Sequence, residues 1–123
     1  MAADTAAASS SVTRATVIGT ILQVAMVVAG HSIPAVKEQF ALGGMTISAV
    51  AGFLATRGAA GASVAGAAKG GAIAGGVSAF LGILVSTLLK DVPASVLGFG
   101  TAGSAVTGVI GGLLGRFVGQ PRG

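Results

Sequence analysis

Few side chains in this sequence could carry out chemistry. The 123 residues include one histidine, His31, and no cysteine. The acidic residues are Asp4, Glu38 and Asp91. A metal site needs three or four converging ligands, and general acid–base catalysis needs a carboxylate or imidazole beside the reacting group. The pattern provides neither, so we expect no enzymatic activity, no metal and no cofactor.

The glycine-rich stretches and the positive charge do not form a ligand motif either. The stretches lack the GxxxxGK[ST] pattern of a phosphate-binding loop. The net charge is +4, but the seven cations are scattered and the chain contains no Trp or Tyr for base stacking. We therefore expect no nucleic-acid partner, and we interpret the cations as topology determinants with affinity for anionic lipid.

The composition predicts a chain that is embedded in a lipid bilayer. Hydrophobic residues make up 53% of it and charged residues only 8%, against about 25% charged residues in soluble domains. The mean hydropathy is +0.94. Ten charged side chains are too few to cover the surface of a water-soluble protein of this length, so the bilayer is the first expected partner.

Four apolar runs organise the chain, at residues of about 15–31, 34–56, 70–89 and 93–115. A bilayer core of about 30 Å needs about 20 helical residues. The runs are too long for transmembrane strands and show no alternation of polar and apolar residues. The predicted fold is an all-α integral membrane protein with four transmembrane helices.

The second half of the sequence resembles the first at an offset of 59 residues. Residues 33–57 and 92–116 align without a gap and are identical at eight of 25 positions. The matches include Pro34 with Pro93, Phe40 with Phe99 and Arg57 with Arg116. We interpret this as a tandem, parallel duplication of a helical hairpin. Each proline, placed where its missing N–H costs nothing, would begin the second helix of its hairpin after the same tight turn.

These patterns give the expected organisation. Residues 1–14 are a disordered N-terminal tail, 15–57 the first hairpin repeat, and 70–118 the second. Residues 58–69 are a Gly/Ala-rich connecting loop, which could also extend the third helix, and 119–123 are a C-terminal tail.

The distribution of cations predicts the orientation. With four spans, five of the seven Lys and Arg residues lie on the side of the termini and two lie on the other side. The positive-inside rule then places both termini in the cytoplasm, in an inner or plasma membrane that the chain crosses several times.

Small residues recur at four-residue spacing on the predicted helices. In lipid, such faces let helix backbones approach closely and drive association. Whether the partner is within the chain, a second copy or another membrane protein is not fixed by the pattern. The helix-packing candidates are Gly44, Ser48, Gly52, Gly103, Thr107, Gly108, Gly111, Gly112 and Gly115.

Two further residues are candidates for special roles. Gln23 is the one strongly polar side chain deep in a span, where it can form a polar intramembrane site or bond one helix to another. Its repeat counterpart is Gly82, so the Gln side chain could fill the space that glycine leaves across the pseudo-axis. His31 lies at the end of the first span and is a candidate pH-sensitive interfacial residue.

Two functions agree with the sequence. The first is a structural or assembly subunit that packs through its glycine-rich faces into a homo-oligomer or a larger membrane complex, so that its partner is itself or another membrane protein. The alternative is a passive channel, small-solute carrier or holin-like pore, which rests on Gln23 and on hydroxyls in the spans. The substrate, the protein partner, the oligomeric state and the physiological process are not encoded in these patterns.

Overall fold

The structure, a computed structural model, describes residues 2–57 and 63–118. These residues form five helices and no strand: α1 (Ala2–Ser32), α2 (Pro34–Lys37), α3 (Phe40–Thr56), α4 (Val64–Leu88) and α5 (Ser95–Val118). Three segments are long and apolar enough to cross a membrane, Ser11–Ser32, Val64–Leu88 and Ser95–Val118, and Phe40–Thr56 is a shorter apolar helix. The all-helical prediction is confirmed, and three or four apolar helices indicate a multi-pass membrane protein.

Small residues occupy the interior of the bundle and large ones its surface. The buried hydrophobic residues are alanines with the single addition of Val27 among the described side chains. Large apolar side chains lie outside, including Leu42 at 68% and Leu88 at 73% exposure. In water this arrangement would forgo the main favourable term in folding. In lipid the outer side chains meet a solvent as apolar as themselves, and close packing holds the helices together.

The bundle is centred on α3 and α4. These two helices pack against each other, and α1 packs against both of them. α5 also packs against both, most extensively against α4. Within the described residues α1 and α5 have little direct contact, so they flank the central pair on opposite sides.

The second predicted span, 34–56, differs from expectation because the helix is interrupted. Pro34 begins α2 and Ile33 before it is extended, at φ −117°, which agrees with the predicted turn. The chain then leaves the helical path at Glu38 and Gln39 before α3 begins at Phe40. Both residues are exposed, and a break there lets polar groups stay at the end of the bundle. At 1.5 Å per residue, the 17 residues of α3 span about 26 Å.

The turn after α4 is built differently from the turn after α1. Lys90 adopts the left-handed conformation, with φ 63°, and its N–H donates to the Thr87 carbonyl. The Asp91 N–H donates to the Ser86 carbonyl at 3.0 Å. This is a Schellman motif with lysine where glycine is usual. α5 then begins at Ser95, two residues after Pro93, so the predicted helix start at this proline differs from the structure.

Two other boundaries differ from the sequence-based expectation. α1 begins at Ala2 and includes the segment 2–14 predicted as a disordered tail. That segment is rich in alanine, the strongest helix former. α4 begins at Val64, where the Ser63 side chain accepts a hydrogen bond from the Gly66 N–H at 2.9 Å. Residues 64–69 therefore extend the third long helix. The rest of the predicted loop, 58–62, and the predicted tail, 119–123, lie outside the described residues.

Candidate functional site

A seam of glycine contacts joins α3, α4 and α5 in the half of the bundle away from the tight turns. A Cβ added at Gly52 would collide with the Gly108 carbonyl, and one added at Gly111 with the Ala49 carbonyl. A Cβ at Gly71 would also meet Gly108. The backbones approach so closely that only glycine fits, so the helix-packing faces are used within the chain.

Several of these contacts recur in pairs at the 59-residue offset of the sequence match. The approach of Gly52 to the Gly108 carbonyl corresponds to that of Gly111 to the Ala49 carbonyl. The Thr56 hydroxyl donates to the Gly112 carbonyl, and the matching contact places Gly115 against the Phe53 carbonyl. Two further contacts join a residue to its own counterpart, Gly19 to Ser78 and Gln23 to Gly82.

Gln23 forms the polar centre of the bundle. Its side chain is buried, with 2% exposure. Its amide nitrogen donates to the Gly44 carbonyl at 3.0 Å and to the Ser48 hydroxyl at 3.1 Å. The Ser48 hydroxyl in turn donates to the Gly75 carbonyl at 3.3 Å. A network that starts on α1 thus reaches α4 through α3, and it ties three helices together at mid-depth.

A cavity of about 380 Å³ lies in the other half of the bundle, between Gln23 and the tight turns. Helices α1, α3, α4 and α5 all line it, with α4 contributing Ala79, Ile83 and Ser86. Among the described residues, the lining is mainly apolar and includes no charged side chain. Its volume lies at the small end of the range of about 300–1,000 Å³ for small-molecule sites.

Two polar atoms at this cavity lack hydrogen-bond partners among the described residues. Gln23 uses its amide nitrogen in both of its bonds, so its Oε1 accepts none. The Ser86 hydroxyl is fully buried and also has no partner. Most buried polar groups in proteins are hydrogen-bonded. Of the three buried hydroxyls without a partner in the described residues, those of Thr20, Ser86 and Thr101, only that of Ser86 belongs to a residue that lines the cavity. Gly82, which packs against Gln23, lies one helical turn from Ser86 on the same face of α4.

A polar cluster closes the same end of the bundle, where the two turns meet. The imidazole of His31 lies 2.8 Å from a carboxylate oxygen of Asp91, and the Lys37 ammonium lies 3.4 Å from the other oxygen. An ionised carboxylate only accepts, so the Nδ1–H of His31 donates. This hydrogen bond is the main cause that lowers the pKa of Asp91 below its ordinary value of 3.8. Partial burial opposes the shift, and the nearby positive charges add to it.

The structure separates the helix-packing candidates into groups. Six of them are buried in or beside the seam: Ser48, Gly52, Gly108, Gly111, Gly112 and Gly115. Gly44 instead lines the cavity beside the Gln23 amide oxygen. Gly103 and Thr107 are half-buried at the edge, where the Thr107 hydroxyl donates to the Ser104 carbonyl of its own helix.

Sequence reasoning missed Ser86 and the partnership of His31 with Asp91 and Lys37. The short motifs of the two turns contained the charges, but their meeting depends on how the hairpins pack. Ser86 has no distinguishing sequence signal, because serine is common in these spans. Within the described residues no group of three or more His, Cys, Asp and Glu side chains could hold a metal ion.

Comparison with known proteins adds no relative: no family model, no curated protein and no solved structure matches the chain.

Proposed function

We propose that this chain is a small polytopic membrane protein that binds a small molecule in the cavity between its helices. The observation that carries the proposal is the cavity between the four long helices, with Gln23 at its polar end. Of the two functions that agree with the sequence, this is a narrower form of the second. The proposed protein binds a solute, as a carrier does, but it does not form a pore.

The glycine seam favours binding over conduction. Beyond Gln23 the backbones of α3, α4 and α5 are in direct contact, for example where Gly112 meets Gly71. Such close packing leaves no room for an aqueous path along these three helices. The apolar lining of the cavity favours a molecule that arrives from the bilayer.

Photolabelling with benzophenone tests this proposal. On illumination the probe inserts into nearby C–H bonds and favours methionine, and Met26 and Met45 both line the cavity. The full chain in lipid nanodiscs should be labelled at these two residues. The Ala79→Leu variant places a larger side chain into the cavity from α4, so it should reduce labelling at both sites at least about 5-fold.

A matched control separates cavity filling from a general effect of leucine. Ala25 lies exposed on α1, so Ala25→Leu should leave the labelling unchanged. Ser104→Leu fills the cavity from α5, so it provides a second, independent test if Ala79→Leu does not fold. Circular dichroism shows whether each filling variant is folded. Wild-type labelling spread evenly over lipid-facing residues, with no dependence on either filling variant, would refute binding in the cavity.

Assembly is a second proposal, favoured by the outer surface of α5. Large apolar residues project from it at spacings of three to seven residues and form a continuous stripe. Because the glycine faces are engaged inside the chain, a second copy or another membrane protein would meet this stripe. It consists of Phe99, Val106, Ile110, Leu114 and Phe117.

Cysteine cross-linking tests the assembly proposal, since the natural sequence contains no cysteine. If two copies meet through α5, Ile110→Cys should form a disulfide-linked dimer under mild oxidation in native membranes. Ile21→Cys, which is exposed on α1 at 62%, is the control and should remain monomeric. Equal cross-linking of both variants would indicate random collision instead.

We also propose that the bundle consists of two hairpin repeats with both termini in the cytoplasm. The paired contacts at the 59-residue offset support the repeat, and the five cations against two support the orientation. In intact cells an impermeant maleimide should label Ala35→Cys at the tight turn and not Thr13→Cys near the other end. The opposite pattern would reverse the orientation.

A further inference from the structure

We infer that the cavity is selective for a neutral molecule that has a hydroxyl group on a compact apolar frame. The hydroxyl is recognised by Gln23 Oε1 and by the Ser86 side chain. This inference rests on the proposed binding function and adds the chemical class of the ligand.

The absence of charge in the lining determines that the ligand is neutral. In the part of the chain that the structure describes, no Asp, Glu, Lys, Arg or His lines the cavity. A charged ligand would lose its hydration with no opposite charge to replace it, which is expensive in an apolar site. Three titratable residues at this end, His31, Lys37 and Asp91, contact one another instead.

The two polar atoms that lack a hydrogen-bond partner, Gln23 Oε1 and the Ser86 hydroxyl, indicate that the ligand has a hydrogen-bonding group. Gln23 is 2% exposed and its amide nitrogen is occupied, so its oxygen can only accept. The Ser86 hydroxyl can both donate and accept. A ligand hydroxyl matches both, because it can donate to Gln23 Oε1 and accept from Ser86. The Ser86 oxygen is itself fully buried while the residue lines the cavity, so contact with a ligand would require a change of its χ1 rotamer.

The lack of a hydrogen-bond partner at Ser86 also lowers the stability of the folded protein at this position. A buried hydroxyl with no partner destabilises the protein in which it lies. The buried hydroxyls of Thr20 and Thr101 also lack a partner within the described residues, but neither residue lines the cavity, so it is the position of Ser86 beside the cavity that points to a ligand. Ser78 provides a contrast on the same helix, since its hydroxyl is equally buried but donates to the Gly75 carbonyl at 3.1 Å.

A pair of matched photoprobes tests the inference. The probes are 4-hydroxybenzophenone, kept neutral in slightly acidic buffer, and 4-methylbenzophenone, which has nearly the same shape but no hydroxyl. We expect the hydroxyl probe to label Met26 and Met45 in nanodiscs about 10-fold more than the methyl probe at equal membrane concentration. Gln23→Met should abolish this preference, and Ser86→Ala should reduce it at least 2-fold.

Ser78→Ala serves as the control and should keep the wild-type preference. Labelling of the wild type by both probes equally, still blocked by Ala79→Leu, would refute the hydroxyl selectivity and leave the binding function intact. A preference that survives in both Gln23→Met and Ser86→Ala would also refute it. No cavity labelling by either probe would instead refute the proposed function itself.

Discussion

At the scale of single residues, Gln23 connects stability and the candidate site. Its amide nitrogen bonds α1 to α3, while its oxygen lies at the cavity. The sequence identified Gln23 because a strongly polar residue in an apolar span stands out. Its contact with the repeat counterpart Gly82 agrees with the expectation that the Gln side chain fills the space left by glycine. Ser86 could not be identified in this way, because the lack of a hydrogen-bond partner depends on the packing around it.

Loss of the Gln23 amide should weaken the bundle. Gln23→Met keeps the length of the side chain but removes the bonds to the Gly44 carbonyl and the Ser48 hydroxyl. Since hydrogen bonds between membrane helices contribute about 0.6 kcal/mol each, we expect the unfolding free energy to fall by about 1 kcal/mol. Far-UV circular dichroism during SDS titration measures it. The exposed Gln39 provides the control, and an equal loss in Gln39→Met would contradict the role of the network.

Removal of the unmet hydroxyl at Ser86 should have the opposite effect. Because its oxygen is buried without a partner, Ser86→Ala should raise the unfolding free energy by about 1 kcal/mol. Ser78→Ala should lower it, since that hydroxyl bonds to the Gly75 carbonyl. The same titration compares the two variants, and a clear loss of stability in Ser86→Ala would show that this hydroxyl does have a partner.

The cluster at the two turns should make stability depend on pH in the acidic range. The folded state lowers the pKa of Asp91, mainly through the hydrogen bond from His31. The unfolded state therefore takes up a proton more readily, so stability is fully present above the ordinary carboxyl pKa and is lost as pH falls through the lowered value.

This dependence can be measured by thermal unfolding between neutral and strongly acidic pH. Asp91→Asn should flatten the acidic part of the profile. Glu38→Gln should leave it unchanged, because Glu38 forms no ion pair among the described residues. If Asp91→Asn keeps the wild-type acid dependence, the cluster is not its source.

At the scale of helices, the glycine seam is the main source of precise packing. Gly111 should not tolerate even a methyl group, because a Cβ there would collide with the Ala49 carbonyl. We expect Gly111→Ala to lower the unfolding free energy by about 1–3 kcal/mol through overpacking. A Cβ added at Gly98 would have no neighbour within 4 Å, so Gly98→Ala is the matched control and should be neutral or slightly stabilising.

The outcome at Gly52 tests the repeat as well as the packing. Because Gly52 meets the Gly108 carbonyl in the equivalent way, Gly52→Ala should cost about as much as Gly111→Ala. A severe effect in one variant and none in the other would show that the two contacts are not equivalent.

The ends of the helices show which features a sequence can reveal. Pro34 was predicted to begin a helix and does, because proline has fixed local requirements. The interruption at Glu38 and Gln39 was not predicted, since an apolar run interrupted by a few polar residues can continue as a helix or break. The left-handed conformation of Lys90 was also missed, because glycine is the usual signal for it.

Lys90 should therefore gain from replacement by glycine. The left-handed conformation costs a non-glycine residue about 1–2 kcal/mol, so we expect Lys90→Gly to raise the unfolding free energy by about 1 kcal/mol. Leu88→Gly, at the last helical residue of α4, should lower it instead, because glycine disfavours the helical conformation. Stabilisation absent from Lys90→Gly would show that the turn is not strained at this position.

At the scale of the whole molecule, the sequence predicted that the chain is helical and lies in lipid, but it did not predict which helices pack against each other. Low charge and long apolar runs predicted a helical membrane protein, because both are properties of composition. A helix face of small residues has the same sequence pattern whether it packs against a helix of its own chain or of another protein. The sequence therefore could not show that the contacts of Gly52, Gly108 and Gly111 lie inside the chain. The cavity was equally hidden, since it is lined by residues of four helices whose relative positions the sequence does not specify.

Native mass spectrometry of the chain, extracted gently from its own membrane, would detect a molecule bound in the cavity. We predict a particle heavier than the protein by the mass of one small neutral molecule, and that extra mass should be lost in the Ala79→Leu variant. A particle with no such mass, found only as a stoichiometric complex with another protein, would contradict the binding function and favour assembly.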